Sequence, residues 1–250
     1  MVKKLLLILL LSALVKINAQ TITIAAAADL RYALDDITKL YKENHQDLKI
    51  DVIYGSSGSL YQQISNQAPF DLFFSADVSF AAKLDSMKLS SGKPTLYAIG
   101  RIVLWSMTKD VSKGLDLLKS EDIKYVSIAN PMHAPYGTRA VESLKFYNLY
   151  DQVKDKIVKG DNVSQAAQFV LTGNAEVGII ALSLALSPTM TSKGKYFLID
   201  ENSHTKMEQA YVVLKKSEKK IELLNFVKFL ETKNARDILI KYGFRLPVIK

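Results

Sequence analysis

The chain has 250 residues, of which 48% are hydrophobic and 23% charged, a composition ordinary for a globular protein with a sizeable core. It contains no cysteine, which excludes disulfides, thiol catalysis and cysteine metal sites. The formal charge of +8 is mild, and its lysines alternate with acids along the chain, which argues against a nucleic-acid-binding patch.

The N-terminus is typical of a secretory signal peptide. Lys3 and Lys4 precede an apolar run at residues 5–15, and Ala19 is a suitable cleavage site. The run is short for a membrane span, although an uncleaved anchor is the alternative. Without residues 1–19, which contain three lysines and no acid, the charge falls from +8 to +5. We therefore expect a protein exported to the periplasm, and the missing cysteine excludes a lipoprotein anchor.

The predicted elements alternate between strand and helix, first over residues 21–87 and then again. The first half reads as strand 21–27, helix 30–44, strand 48–54, helix 59–66, strand 70–76 and helix 78–87. The second half reads as strands 101–107 and 125–131, helices 136–150 and 163–174, strands 176–184, 195–200 and 209–216, and two helices within 219–244. This order predicts an α/β protein with helices on both faces of mainly parallel sheets.

Two α/β lobes fit the pattern better than one long sheet. We predict lobe 1 from residues 20–100 plus 212–250 and lobe 2 from residues 101–211. The chain would cross between them near Gly100–Arg101 and again near residues 209–211. Ligands of such sheets bind outside the carboxyl ends of the strands, which here would form a cleft between the lobes.

Four junctions that lead into predicted helices share one chemistry. They are "AAAADL" at 25–30, "YGSSGSL" at 54–60, "HAPYGTRA" at 133–140 and "GDNVSQAA" at 160–167. Each offers small residues, hydroxyls or free amides where a helix begins, and helix N-termini carry unsatisfied donors and partial positive charge. Any one alone is more simply explained as a helix cap, but together they predict an anion site without charged side chains.

Six motifs run in order over nearly the whole mature chain: "AAAADLRYALDDI", "YGSSGSLYQQI", "APFDLFFSAD", "ANPMHAPYGTRAVESL", "VSQAAQFVLTGNAEVGIIALS" and the C-terminal "KYGF". As a set they resemble the periplasmic molybdate-binding proteins of ABC transporters, a branch of the type II substrate-binding proteins. The resemblance implies a periplasmic binding protein-like type II fold, with two α/β lobes, a hinge and an interdomain cleft. It further implies a monomeric carrier, not an enzyme, that binds molybdate or tungstate, needs no cofactor and delivers the anion to a membrane permease.

The resemblance also implies the site residues Ala28, Asp29, Ser57, Tyr136 and Val163, which would contact oxygens of the anion and not its metal. A later tyrosine that some members use corresponds to Ala181, and Tyr136 would compensate for it. Asp29 departs from the expected serine or asparagine. We expect it to cap the helix 30–44 and turn its charge away from the ligand; alternatively it accepts a proton from a ligand such as hydrogen phosphate.

Two other readings stay open at this point. One is a carrier for phosphate, sulfate or a small organic anion, and the other is a secreted hydrolase with Ser57 as the nucleophile. The hydrolase motif G-x-S-x-G, the Walker motif and the common metal-site motifs are absent. His133 is interpreted as a solvated loop residue and Asp77 as structural.

Overall fold

The structure, a computed structural model, describes residues 21–247, so the predicted signal peptide lies outside the described residues. The described chain forms two mixed five-stranded sheets, one in each lobe. The first sheet contains strands β1 (Thr21–Ala27), β2 (Lys49–Gly55), β3 (Leu72–Ser75), β4 (Thr95–Gly100) and β10 (Met207–Val213). The second contains β5 (Ile102–Ser106), β6 (Val126–Ala129), β7 (Ile157–Gly160), β8 (Val177–Ala181) and β9 (Lys195–Leu198).

The two sheets are built on the same plan. The first has the order β2-β1-β3-β10-β4, and the second has the order β7-β6-β8-β5-β9. In each, three neighbouring strands run parallel and the other two pair antiparallel beside them. The central strands β3, β6 and β8 are buried along their whole length, as expected for apolar strands covered by helices on both faces.

Ten α-helices of the described chain connect and cover these strands. They are α1 (Arg31–Lys42), α2 (Ser57–Ser65), α3 (Val78–Ser86), α4 (Pro135–Phe146), α5 (Tyr150–Val153), α6 (Val163–Leu171), α7 (Leu182–Ala185), α8 (Pro188–Thr191), α9 (Ile221–Leu230) and α10 (Lys233–Lys241). The helix predicted at 136–150 ends earlier, at Phe146, because the chain turns at Asn148 with a φ of 55°. Strands β4 and β7 were not predicted from the sequence.

The chain crosses between the lobes at Arg101 and again before strand β10. Arg101 separates β4 of the first sheet from β5 of the second. Strand β10 pairs over Met207–Val213 with β3 and β4, so all of it belongs to the first sheet. The predicted boundary after residue 211 falls inside this strand and is wrong, because backbone pairing, which the local pattern does not report, assigns the strand to its lobe.

The C-terminal helices pack into the core of the first lobe. Phe226 of α9 and Leu239 of α10 lie in one apolar cluster with Ile22 of β1 and Leu34 of α1. The second lobe has its own core around the fully buried Trp105. Each lobe is therefore supported by its own packing, which leaves the carboxyl ends of the strands and the helices that follow them free to form a site between the lobes.

Candidate functional site

The four predicted junctions meet at one small cavity between the lobes. It is lined by Ala27, Ala28, Asp29, Gly55, Ser56, Ser57, Ala76, Ala134, Pro135, Tyr136, Asn162 and Val163. The volume of the cavity is about 10 Å³, which is enough for about one water molecule. The structure thus brings all five predicted site residues together, in lobes closed directly upon each other. Their binding of an anion stays a prediction.

Lobe 1 contributes the start of α2, which follows β2 after a single residue. That residue, Ser56, is the N-cap, and its side chain accepts a hydrogen bond from the amide of Ser59. Ser57 is fully buried, and its Oγ accepts a hydrogen bond of 2.9 Å from the amide of Ala76. Because the Oγ is oriented as an acceptor by this bond, its proton is left to donate into the cavity.

Lobe 2 contributes the starts of α4 and α6. Pro135 occupies the first turn of α4, where its missing amide costs nothing, and Tyr136 follows it. Asn162 caps α6 through a bond of 3.0 Å from the amide of Gln165, and Val163 begins the helix. Within residues 21–247, the amides of Tyr136 and Val163 donate to no side chain and to no turn or cap carbonyl. These first-turn amides add partial positive charge on the side of the cavity opposite Ser57.

Asp29 does not cap the helix, although this was expected from the sequence. It lies in a 3-10 turn (Ala28–Leu30) before α1, and neither helix start is capped by a side chain. Instead its carboxylate is 1% exposed at the cavity, where Oδ2 accepts hydrogen bonds from the Tyr136 hydroxyl (3.0 Å) and from Gln209 Nε2 (2.7 Å). Burial raises the pKa of Asp29 to about 6, although these two hydrogen bonds oppose the shift.

Tyr136 also differs from its expected use. Its hydroxyl is bound to Asp29, and the same hydroxyl accepts a bond of 3.2 Å from Gln209 Nε2. Burial is the main cause of a pKa for Tyr136 well above the ordinary tyrosine value, with the charge of Asp29 adding to it, so this phenol stays protonated. Ala181, which corresponds to the missing tyrosine, ends strand β8 and is fully buried.

Three polar contacts, two of them to His133, hold the lobes together beside the cavity. The amide of Gly58 donates to the carbonyl of His133 (2.8 Å), and the Oγ of Ser56 lies 2.9 Å from the Nδ1 of the same histidine. Arg139 of lobe 2 pairs with Asp77 of lobe 1 at 2.6 Å, and both side chains are largely buried. His133 is therefore a contact between lobes and not a solvated loop residue. Asp77 is structural, as predicted, and it also caps α3.

The contact between Ser56 and His133 does not amount to a hydrolase triad. The sequence-based rival used Ser57, whose Oγ meets the Ala76 amide and not a histidine. Among the described residues, no carboxylate hydrogen-bonds His133 to orient its ring, which such a triad requires. The bond to Ser56 also spans the two lobes, so it is lost whenever they separate.

Three side chains at the site were missed by the sequence analysis. Gln209 of β10 reaches Asp29, Ser183 of α7 donates to the Asp29 carbonyl (2.7 Å), and Ser164 of α6 donates to the Ala28 carbonyl (2.9 Å). The two serines belong to lobe 2 and fix the backbone of the first junction in lobe 1. One sequence signal could have indicated the two serines: each lies one or two residues into a helix that follows a strand.

Two further classes of site find no support in the part of the chain that is described. Residues 21–247 contain no group of three or more His, Cys, Asp or Glu residues placed to hold a metal ion. None of the helices in this range combines the length and the apolarity that a membrane crossing requires.

Comparisons with known proteins agree with this geometry. A family model described as "Bacterial extracellular solute-binding protein" matches residues 22–245. The molybdate-binding protein ModA of Azotobacter vinelandii is 33% identical over 231 residues, covering 92% of this chain and 91% of that protein. A putative ABC transporter substrate-binding lipoprotein, YvgL of Bacillus subtilis, is 34% identical over 231 residues, covering 90% of this chain and 86% of its own.

Solved structures confirm the predicted two-lobed fold. The periplasmic molybdate-binding protein of Azotobacter vinelandii matches with a TM-score of 0.85 at 27% identity, covering 90% of this chain and 99% of that one. The sulfate-binding protein SubI of Mycobacterium tuberculosis matches with a TM-score of 0.73 at 16% identity, covering 92% of this chain and 88% of that one. At that identity the second match bears on the fold alone.

Proposed function

This chain belongs to the bacterial extracellular solute-binding proteins, and on that premise we propose that it carries molybdate or tungstate to an ABC transporter. Relatives named as molybdate-binding proteins, about a third identical over most of the chain, support molybdate as the first candidate. The anion would bind in the cavity between the lobes, through hydrogen bonds to its oxygens and without a protein ligand to the metal.

One observation carries the proposal: the starts of three helices from both lobes, α2, α4 and α6, line a single cavity without a lysine or arginine. A lysine or arginine side chain would hold many anions tightly through its charge alone. Uncharged amides and hydroxyls instead replace the water around a fully deprotonated oxyanion with individual, directed hydrogen bonds. The size of the anion and the geometry of its oxygens therefore decide which anion fits. The extra turn at Ala28–Asp29 supplies the fourth side of the site.

Binding requires the lobes to separate and then close. The cavity has room for only about one water molecule, so an anion enters only when the contacts of His133 and Arg139 open. Closure around the anion then completes the donor set and presents both lobes in fixed relative positions to a membrane permease. In this proposal the mature protein is a periplasmic monomer released from a signal peptide at residues 1–19, and it needs no cofactor and catalyses no reaction.

Isothermal titration calorimetry with molybdate, tungstate, sulfate and phosphate tests the proposal. We expect heat and tight 1:1 binding with molybdate and tungstate, and weaker or no binding with sulfate, which is smaller. Titrations should be run at about pH 6 as well as at neutral pH, because Asp29 titrates in this range. The absence of heat with all four anions at both pH values would remove the proposal.

A further inference from the structure

The two carboxylate oxygens of Asp29 have different surroundings. Oδ2 accepts two hydrogen bonds, from Tyr136 and Gln209. Oδ1 is buried and has no hydrogen-bond partner among the described residues. A buried, unpaired carboxylate oxygen is costly, and here it belongs to a residue that lines the cavity. This oxygen is therefore available to a ligand in the cavity.

The neighbouring hydrogen bonds fix which oxygen can carry a proton. The Tyr97 hydroxyl donates to Gln209 Oε1 at 2.6 Å, so the amide nitrogen of Gln209 must face Asp29. Tyr136 in turn donates its single proton to Asp29 Oδ2. Oδ2 is thus held as an acceptor by two donors. A proton on this carboxyl group has its place on Oδ1, from which it can donate to a ligand.

Among residues 21–247, no cation compensates an ionised Asp29. The titratable groups that face it from the packed elements are the phenols of Tyr97 on β4 and Tyr136 on α4, and both have pKa values well above the ordinary tyrosine value because they are buried. Ser183 from α7 and Gln209 from β10 are neutral. Burial accordingly raises the pKa of Asp29 to about 6.

The nearby positive charges are engaged elsewhere. Arg101, where the chain crosses between the lobes, donates twice to the carbonyl of Gly243. Arg31 lies over the ring of Tyr54, with 4.6 Å between its Cζ and the ring centroid. A carboxylate and a dianion in contact inside this cavity would repel each other strongly, because little water or opposite charge screens them. The neutral acid removes that repulsion.

We propose that Asp29 binds the oxyanion as a neutral carboxylic acid, which donates a hydrogen bond from Oδ1 to the ligand, so that each bound dianion brings about the uptake of one proton. The proposal deepens the proposed function and rests on it. The proton comes from solvent and goes to Oδ1, and no covalent bond in the ligand changes. Asp29 then makes the affinity for the anion depend on pH, and it favours anions that are fully deprotonated.

The test is calorimetric titration of the full mature protein with molybdate, in two buffers that differ in heat of ionisation. Above about pH 7 we expect uptake of close to one proton per anion, and an affinity that falls about tenfold per pH unit up to about pH 8.5. In Asp29→Asn, the amide oxygen accepts from Tyr136 and Gln209 while its NH₂ group donates to the anion. This variant should take up no proton, and its affinity should be nearly constant over the same range.

Asp51→Asn is the matched control, since it makes the same charge change on the outer strand of the same lobe, at a carboxylate paired with Lys49. It should behave as the parent does. Binding by the parent without proton uptake would overturn the inference and leave the proposed function standing. Loss of binding by a folded Asp29→Asn at every pH would also overturn it. No binding by the parent even at about pH 6 would instead refute the proposed function.

Discussion

Gly58 offers the sharpest test of whether closure of the lobes is needed for binding. A Cβ atom at this position would lie 2.7 Å from the carbonyl oxygen of His133 and 2.9 Å from its Cα, both in the opposite lobe. Contacts between non-bonded heavy atoms are most favourable near 3.5–4.0 Å, so the lobes of Gly58→Ala must stay about 1 Å further apart here.

The cost can be worked from the contacts that are lost. Separation at this point weakens the bond from the Gly58 amide to His133 and the contact between His133 and Ser56. Two hydrogen bonds at about 0.5–1.5 kcal/mol each give about 1–3 kcal/mol, or about 5- to 150-fold weaker molybdate binding. The ligand-free protein should be as stable as the parent, or more stable by up to about 1 kcal/mol, because alanine favours helix over glycine.

Calorimetry measures the affinity, and thermal unfolding without ligand measures the stability. Gln63→Ala, an exposed position on the same helix, controls for helix propensity and should leave binding unchanged. Small-angle scattering with molybdate should show a less compact protein for Gly58→Ala than for the parent. Parent-like affinity in this variant would refute the reasoning, as would a parallel loss of affinity and stability, which would indicate general misfolding.

Three further substitutions test separate parts of the structure. Ser57→Ala removes a donor to a charged ligand and should weaken molybdate binding by about 1.5–3 kcal/mol by calorimetry; unchanged affinity would take Ser57 out of the site. Arg139→Gln removes the ion pair with Asp77 and should speed molybdate release in stopped-flow measurements, whereas an unchanged release rate would show that the pair does not hold the closed form. Burial raises the pKa of Asp71, but hydrogen bonds from a serine, a backbone amide and Lys220 outweigh it, so the pKa lies below its ordinary value. The contribution of ionised Asp71 to stability is then present at neutral pH and lost as the pH falls through that lowered pKa. Asp71→Asn should therefore lower the melting temperature at about pH 7 and much less below about pH 3. An equal loss at both pH values would contradict the lowered pKa.

The local pattern was sufficient for most elements and for the position of the site. Apolar alternation and helical spacing predicted β1, α1, β3 and α6 within a few residues, because each element is specified by residues close in sequence. Small and hydroxylic residues at the four junctions predicted where the helices begin, and that chemistry is also local. The five residues taken from the family resemblance all line one cavity, because each lies at one of these junctions and the fold brings the four junctions together.

What the sequence left undecided depended on partners far away in the chain. Strand β10 belongs to the first lobe because it pairs with β3, which lies more than a hundred residues earlier in the chain. The direction of the Asp29 carboxylate was predicted wrongly, because a cap is a local contact, whereas Gln209 and Tyr136 reach Asp29 only after both lobes have folded and closed. The sequence by itself determined which groups could donate at each helix start. Only the tertiary structure decided that a carboxyl group stands among them, since burial and long-range hydrogen bonds, not neighbours in sequence, set its position and its pKa.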